Sequence, residues 1–336
     1  MKISIIIRSY NEEEHIAKLL SGIAAQTIKD IEIIVVDSGS TDATLSIASQ
    51  YPVRILLIPK EDFSFGRSLN IGCKAATGDL IVLASAHVYP VYKDWVENLI
   101  KPFDDPKVAL VYGKQRGGET TKYSEEQIFK KWFPENSGSR QIHPFCNNAN
   151  AVIRRELWEQ MPYDETLTGL EDLDWAKRAV QMGYRIAYSN KAEVKHVHNE
   201  SLSNIYNRYR REAIALKTIY PHERFNSWDF LRLLFINSLS DYYASIVGRV
   251  FWRNIFNICG FRLMQFWGTY RGYSQRTEIS SQLRRKFYYP GGAKVSKGQQ
   301  SESHPQRRIE YGKALAEPEA ESSSRAQKRI SIGANL

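Results

Sequence analysis

The chain has 336 residues, 43% of them hydrophobic and 25% charged, with a net charge of +9 at neutral pH. That length and apolar share suit a soluble globular protein of one large domain or two small ones. The three cysteines, Cys73, Cys146 and Cys259, are far apart and odd in number, which argues against a disulfide framework and points to a reducing cytoplasm. The charge is unevenly spread, at −3 over residues 1–200, +9 over 201–290 and +3 over 291–336.

The first apolar run, Ile3–Ile7, is too short for a signal peptide and reads as a strand. It ends in Arg8-Ser9-Tyr10-Asn11-Glu12-Glu13-Glu14, with Asn11 placed to cap a helix over 12–26. A second run, Ile31–Val36, stops on Asp37 and is followed by the small polar turn Ser38-Gly39-Ser40-Thr41. Asp42 then caps a helix over 42–50. Strands at 53–58, 80–84 and 108–112 alternate with a helix over 67–77, whose C-cap reads as Gly78-Asp79. This alternation predicts an α/β fold of βαβ units around a mostly parallel sheet flanked by helices, Rossmann-like in kind. Such sheets bind ligands beyond the carboxyl ends of their strands, where the turns after Ile7 and Val36 offer polar groups suited to a base and a ribose. No Gly-x-Gly-x-x-Gly follows the first strand, so a dinucleotide fingerprint is absent.

Residues 114–145 are irregular and read as loops over an acceptor site. A strand over 147–154, a helix over 170–182 stopped by Gly183, and two short strands at 186–188 and 193–197 come next. Residues 201 to 289 are helical and aromatic-rich. Arg232, Asp241, Arg249, Arg253 and Arg262 interrupt that stretch, so it holds no spanning helix, which needs about 20 apolar residues. Beyond Pro290 the chain turns polar and is expected to be disordered.

The strand–turn segments Ser9-Tyr10-Asn11-Glu12-Glu13 and Asp37-Ser38-Gly39-Ser40-Thr41-Asp42 resemble the opening of the family-2 glycosyltransferases, whose fold is GT-A. The likeness covers roughly residues 1–200. It implies a catalytic domain over 1–220, with a nucleotide-sugar half to about 115 and an acceptor half after it. By the same resemblance, Ser9, Tyr10, Asn11 and Asp37 hold the nucleoside of a nucleotide-diphosphate sugar. Arg67 and Asn70, in Phe63-Ser64-Phe65-Gly66-Arg67-Ser68-Leu69-Asn70, lie over the donor. One departure is Arg8, where the family usually has Pro; it could change how the nucleotide base is held or supply a cation near the diphosphate.

Ser85-Ala86-His87 occupies the slot where the family usually carries Asp-x-Asp for Mg²⁺ or Mn²⁺. His87 either binds such an ion, with His198 of His196-Val197-His198 as a second ligand, or meets the diphosphate or sugar directly. The missing carboxylate weakens a metal site. Leu170-Glu171-Asp172-Leu173-Asp174 resembles the acidic pair that opens a helix beside the acceptor. This implies Asp172 as the base of an inverting transfer and Glu171 as its aid. Arg208 and Arg211 share a helix face and could neutralise the departing diphosphate.

The basic block over 221–290 is threaded with Phe, Trp, Tyr, Leu and Ile, which favours an anionic membrane surface over nucleic acid. The whole is similar to bacterial rhamnosyltransferase-like enzymes of cell-surface polysaccharide synthesis. The expectation is a cytoplasmic enzyme, peripheral on the inner face of the plasma membrane, with a saccharide or lipid-linked acceptor. Two alternatives stay open, a non-catalytic sugar-binding scaffold and a sugar nucleotidyltransferase.

Overall fold

Parallel strands covered on both faces must be apolar on both faces, and the first runs of this chain are. The computed structural model describes residues 1–136, 141, 143–276 and 279–289. The first strands are β1 (Ile3–Ser9), β2 (Ile31–Asp37), β3 (Arg54–Leu57) and β4 (Leu80–Ser85). Between them lie α1 (Ile16–Ala24), α2 (Thr44–Ala48) and α3 (Phe65–Ala75). Then come β5 (Val88–Pro90), α4 (Trp95–Ile100), β6 (Val108–Gly117), α5 (Tyr123–Trp132), β7 (Asn150–Arg154), α6 (Arg155–Gln160), α7 (Glu171–Gln181) and β8 (Arg185–His196). The sheet order is β3-β2-β1-β4-β7-β6-β8-β5. β1 pairs in parallel with both β2 and β4. β7 runs antiparallel to β4 and β6, and β5 to β8, while the other six strands share one direction, so the sheet is mostly parallel, as expected.

Alternation along each strand divides the core in two. Ile6, Ile34, Val36, Ile81 and Leu83 face α3, α6 and α7, whereas Ile5, Ile7, Val35, Val82 and Ala84 face α1 and α4. Asn150, fully buried in β7, ties three elements together. Its Oδ1 accepts from the Trp95 indole N–H at 2.9 Å, and its Nδ2 donates to the carbonyls of Lys114 and Ala192 at 3.2 and 2.9 Å.

Several expected boundaries move. Asn11 does not cap α1, whose first turn follows His15; Asn11 has φ +53 and its Oδ1 accepts from Thr41 N–H at 2.8 Å, joining the two polar turns. Gly78 is not a left-handed cap. It is required by close approach, since a Cβ there would lie 2.5 Å from Ser4 N. Residues 114–145 are not all loop, because β6 runs on to Gly117 and α5 buries Glu125 and Phe129. The two short strands expected at 186–197 are one strand, β8, bulged where Ser189 and Val194 pair with Gly113 and Gln115 of β6.

The C-terminal helices are α8 (Leu202–Ile219), α9 (Ser227–Val247), α10 (Phe251–Tyr273) and α11 (Ser281–Tyr288). Helix α10 lies close along α8, because a Cβ at Gly268 or Gly272 would meet the carbonyls of Tyr206 or Arg210 at 2.5 and 2.6 Å. A buried bidentate pair, Arg262 to Asp241 at 2.7 and 2.9 Å, joins α10 to α9. The described chain through Tyr289 is one compact unit, and the boundary expected near 220 falls within it, between α8 and α9. The tail expected to be disordered lies outside the described residues.

Replacing Asn150 with Ala strands the Trp95 N–H and two buried carbonyls. Urea unfolding is expected to show a loss of about 3 kcal/mol; a loss below about 0.5 kcal/mol would mean that these groups find other partners.

Candidate active site

Where β1 and β4 end, the chain leaves in diverging directions and opens a cavity of about 540 Å³. Arg8 and Ser85 are register partners across these two strands and both line it. Asn11 and His87 line it from the following turns, and Glu171 and Asp172 from the start of α7. Arg208 and Arg211 come from α8, and His196 and His198 from the end of β8.

The carboxylates of α7 are aimed by strain. Leu170 sits in the left-handed region at φ +57, which costs a branched residue about 1 kcal/mol. The preceding Gly169 leaves room for Arg211, whose Nε lies 3.3 Å from where a Cβ would be. Arg8 donates to Glu171 Oε1 at 3.1 Å. Asp172 accepts from the backbone N–H groups of Asn148 and Leu173 at 3.1 and 2.8 Å. Burial, then the charge of Glu171, push the Asp172 carboxyl up to about 7, against the pull of those two N–H groups and of Arg8. A carboxylate at that value can take and release a proton near neutral pH.

The opposite wall is a histidine stack. His87 Nδ1 bonds Glu12 at 2.7 Å, His196 Nδ1 bonds Gln115 at 2.7 Å, and His198 Nδ1 bonds Glu125 at 2.8 Å. Burial holds His196 well below the usual imidazole range, so its ring is neutral. Burial would raise the Glu125 carboxyl, but Arg208 and His198 outweigh it and hold it at about 2.

Residues 4–161 match the profile described as Glycosyl transferase family 2. An O-antigen chain rhamnosyltransferase of Salmonella typhimurium is 31% identical over 223 residues, covering 62% of this chain and 70% of that protein. The chain belongs to glycosyl transferase family 2. It is therefore a glycosyltransferase. An O-antigen chain rhamnosyltransferase of Salmonella anatum is 30% identical, with 55% of this chain and 62% of that protein covered. Among solved structures, a mannosyltransferase from Pyrobaculum calidifontis in complex with GDP-Man and Mn²⁺ shares the fold. Its TM-score is 0.53 at 19% identity, with 87% of this chain and 88% of that one covered.

Several residues singled out from the glycosyltransferase motifs lie elsewhere than expected. Asp37 does not open onto the cavity. It is fully buried, and its two oxygens accept from Gly39 N–H, Ser40 N–H, Ser9 Oγ and Ser40 Oγ, which uses the full acceptor capacity of a carboxylate. Ser9 is buried in the same turn. Tyr10 is covered by Tyr289, at 4.7 Å between ring centroids, with the Lys60 ammonium 4.9 Å from the Tyr10 ring. Asn70 is a brace: its Oδ1 accepts from Trp158 Nε1 and Tyr163 N–H at 3.0 Å, and its Nδ2 donates to the Tyr163 carbonyl at 2.9 Å. Arg67 does not line the cavity and lies 3.7 Å from Asp62 on the surface. Arg208 is already neutralised by Glu125 and Glu200 at 2.7 and 2.6 Å. Arg211 stacks on Phe65 at 4.5 Å and has no carboxylate partner among the described residues.

Asn148 was not anticipated. It is buried at the cavity wall, and neither end of its side-chain amide has a protein partner. No motif marks it, since its place at the cavity wall comes from the turn before β7.

Replacing Asp37 with Ala removes four hydrogen bonds from the β2 turn and is expected to cost about 3 kcal/mol in nucleotide-free protein. Unchanged unfolding with lost donor affinity would return Asp37 to the role of ligand contact.

Proposed function

We propose that the protein moves a glycosyl group, with inversion, from a nucleotide-diphosphate sugar to an acceptor hydroxyl. The observation that carries this is Asp172, a carboxylate facing the sheet-edge cavity and raised to about 7. Asp172 takes the acceptor proton while that oxygen bonds the anomeric carbon. The bond from that carbon to the diphosphate oxygen breaks in line, and the nucleoside diphosphate leaves. Glu171, held by Arg8, helps to position the acceptor. The unpartnered Asn148 amide supplies a donor and an acceptor to a sugar hydroxyl. On the donor side, Tyr10 and Asn11 hold the nucleoside, with Ser9 and Asp37 setting the turn behind them. Arg211, Arg8 and His87 offer positive charge or hydrogen bonds to the diphosphate, with Arg208 behind them.

A divalent cation fits the same wall, since the unpartnered, buried Nε2 of His196 lies beside His87 and His198. His87 and His198 would hold it, and its charge would offset that of the leaving diphosphate. The rhamnosyltransferase relatives support an acceptor that is a growing cell-surface saccharide, free or lipid-linked.

We further infer attachment to the cytoplasmic membrane surface through the α9–α10 hairpin. Leu239, Tyr243, Ile246 and Val247 are exposed on α9, and Trp252 and Phe256 on α10 are 84% and 88% exposed. Arg249 and Arg253 are exposed at the same tip, a pattern suited to anionic headgroups. Among the described residues no helix is long and apolar enough to cross a membrane.

With Asp172→Asn, kcat is expected to fall by about 10²- to 10⁴-fold while donor affinity holds. In the wild type, kcat/KM should climb as pH rises through about 7, since the base works deprotonated. Arg8→Gln should move that limb to higher pH. A flat profile between pH 5 and 8, or an active Asp172→Asn, would remove Asp172 from the role.

The double variant Trp252→Ser, Phe256→Ser should bind anionic phosphatidylglycerol vesicles about 100-fold more weakly, from about 1.5 kcal/mol per buried aromatic. Transfer to a soluble acceptor should be unaffected. Equal co-sedimentation of the variant and the wild type would defeat the attachment.

A further inference from the structure

The cavity stops short of the nucleoside end that its proposed donor needs. Arg8 and Asn11 line it, whereas Tyr10 and Ser38 do not. The space over Tyr10 is taken by the chain's own C-terminal segment, which arrives through α11 and continues to Tyr289.

That segment ends in three consecutive aromatic rings. Phe287, Tyr288 and Tyr289 are only 4%, 8% and 6% exposed, and they pack against Tyr10, Phe63, Phe65 and Ile214. Tyr289 meets Tyr10 edge to face, with ring centroids 4.7 Å apart and planes at 70°. The Lys60 ammonium lies 4.9 Å from the Tyr10 ring and 5.8 Å from that of Tyr289. The Tyr289 hydroxyl is 3.4 Å from the carbonyls of both Ser38 and Lys60, so its O–H donates into the two turns beside Asp37. A flat ring against Tyr10, with a polar hydrogen aimed at a backbone carbonyl, has the chemistry of a nucleobase seated in the same place. Two residues back, the Phe287 carbonyl accepts from Arg211 Nη1 at 3.4 Å. One short segment therefore engages both a nucleoside contact and a diphosphate contact of the proposed donor.

The hold is of a kind that can be released. The aromatic cluster is separate from the two cores that cover the sheet faces, so its opening leaves them intact. Gln282 and Lys286 of α11 are exposed. The Tyr288 hydroxyl is buried with no hydrogen-bond partner among the described residues, a cost carried only while the segment is seated. We propose that residues 281–289 form an autoinhibitory strap, in which Tyr289 stands in for the nucleobase at Tyr10 and a donor binds only as the strap withdraws. This rests on the nucleoside and diphosphate contacts assigned above to Tyr10 and Arg211. Competition of this kind lowers the apparent donor affinity in proportion to the open fraction, and a bound nucleotide in turn holds the strap out.

The test uses the full chain, with UDP, GDP and dTDP as probes. By calorimetry, Tyr289→Ser is expected to bind the best of them about 10- to 100-fold more tightly than the wild type, since it loses a buried aromatic anchor. Tyr289→Phe, which keeps the ring and loses the O–H, should gain about 2- to 10-fold. In the wild type, saturating nucleotide should speed amide hydrogen exchange over 281–289. Weaker binding by Tyr289→Ser, or slower exchange over 281–289 with nucleotide, overturns the strap and makes the segment a wall of the donor site. Equal affinity in all three proteins overturns it too and leaves the donor reading standing. Binding of no probe by any of the three counts against the nucleoside contact at Tyr10 and takes the strap with it.

Discussion

The structure turns on β1. It is flanked on both sides by parallel partners, β2 and β4, so three strands end at the same edge of the sheet while the chain beyond them must part in two directions. That parting leaves a crevice which the fold cannot close without breaking a ladder, and its lip is the register pair Arg8 and Ser85. The rest of the site is brought to this lip. α7 delivers two carboxylates against Arg8, β8 brings its histidines beside His87, and α8 lays its arginines along the rim. The antiparallel β7 makes this geometry available, because it lets the chain return from the far side of the sheet next to β4.

Electrostatics then separates the acids by role. Glu171 and Asp172 are adjacent and both withdrawn from bulk water, so they cannot both be charged cheaply. Arg8 settles the matter by pairing with Glu171, leaving Asp172 as the group that titrates near neutrality. On the opposite wall the balance runs the other way. Glu125 is buried as well, yet Arg208 and His198 keep it ionised far below the pH of use. One wall therefore stores a proton acceptor and the other a fixed anion that orients a histidine. The distinction follows from which cation each carboxylate touches, and neither depends on the depth of burial alone.

The sheet was legible because parallel strands buried on both faces must be continuous apolar runs, and Ile3–Ile7, Ile31–Val36 and Leu80–Ala84 are that. The acidic turn at 170–174 was legible by its resemblance and does line the cavity. What stayed hidden was satisfaction. Asp37 reads as a free carboxylate in a polar turn, and only the fold shows four donors converging on it. Asn70 likewise looks like a ligand contact until Trp158 and Tyr163, far along the chain, take up its amide. α5 was obscured because its helical face is marked by a buried Glu and one Phe among Lys, Gln and Ser, a weak apolar pattern for a packed helix. Leu170 gave no sign of its left-handed backbone, since bulky residues seldom adopt it.

The C-terminal helices are more than an addition to a finished catalytic unit. Helix α8 carries Arg208 and Arg211 into the cavity on one face and receives α10 on another, at a distance only Gly268 and Gly272 permit. α10 is in turn locked to α9 by the buried Arg262–Asp241 pair, which would leave a bare charge in the core if either partner were lost. The exposed aromatic tip of the hairpin is thus connected to the arginines of the cavity wall through two tightly packed helix contacts. On the proposed attachment, a surface that fixes the tip also fixes the direction in which the cavity faces. An acceptor confined to that surface would then meet Asp172 from a restricted set of approaches, gaining orientation without any dedicated binding contact. This accounts physically for a basic and aromatic face that the core does not need for its own packing.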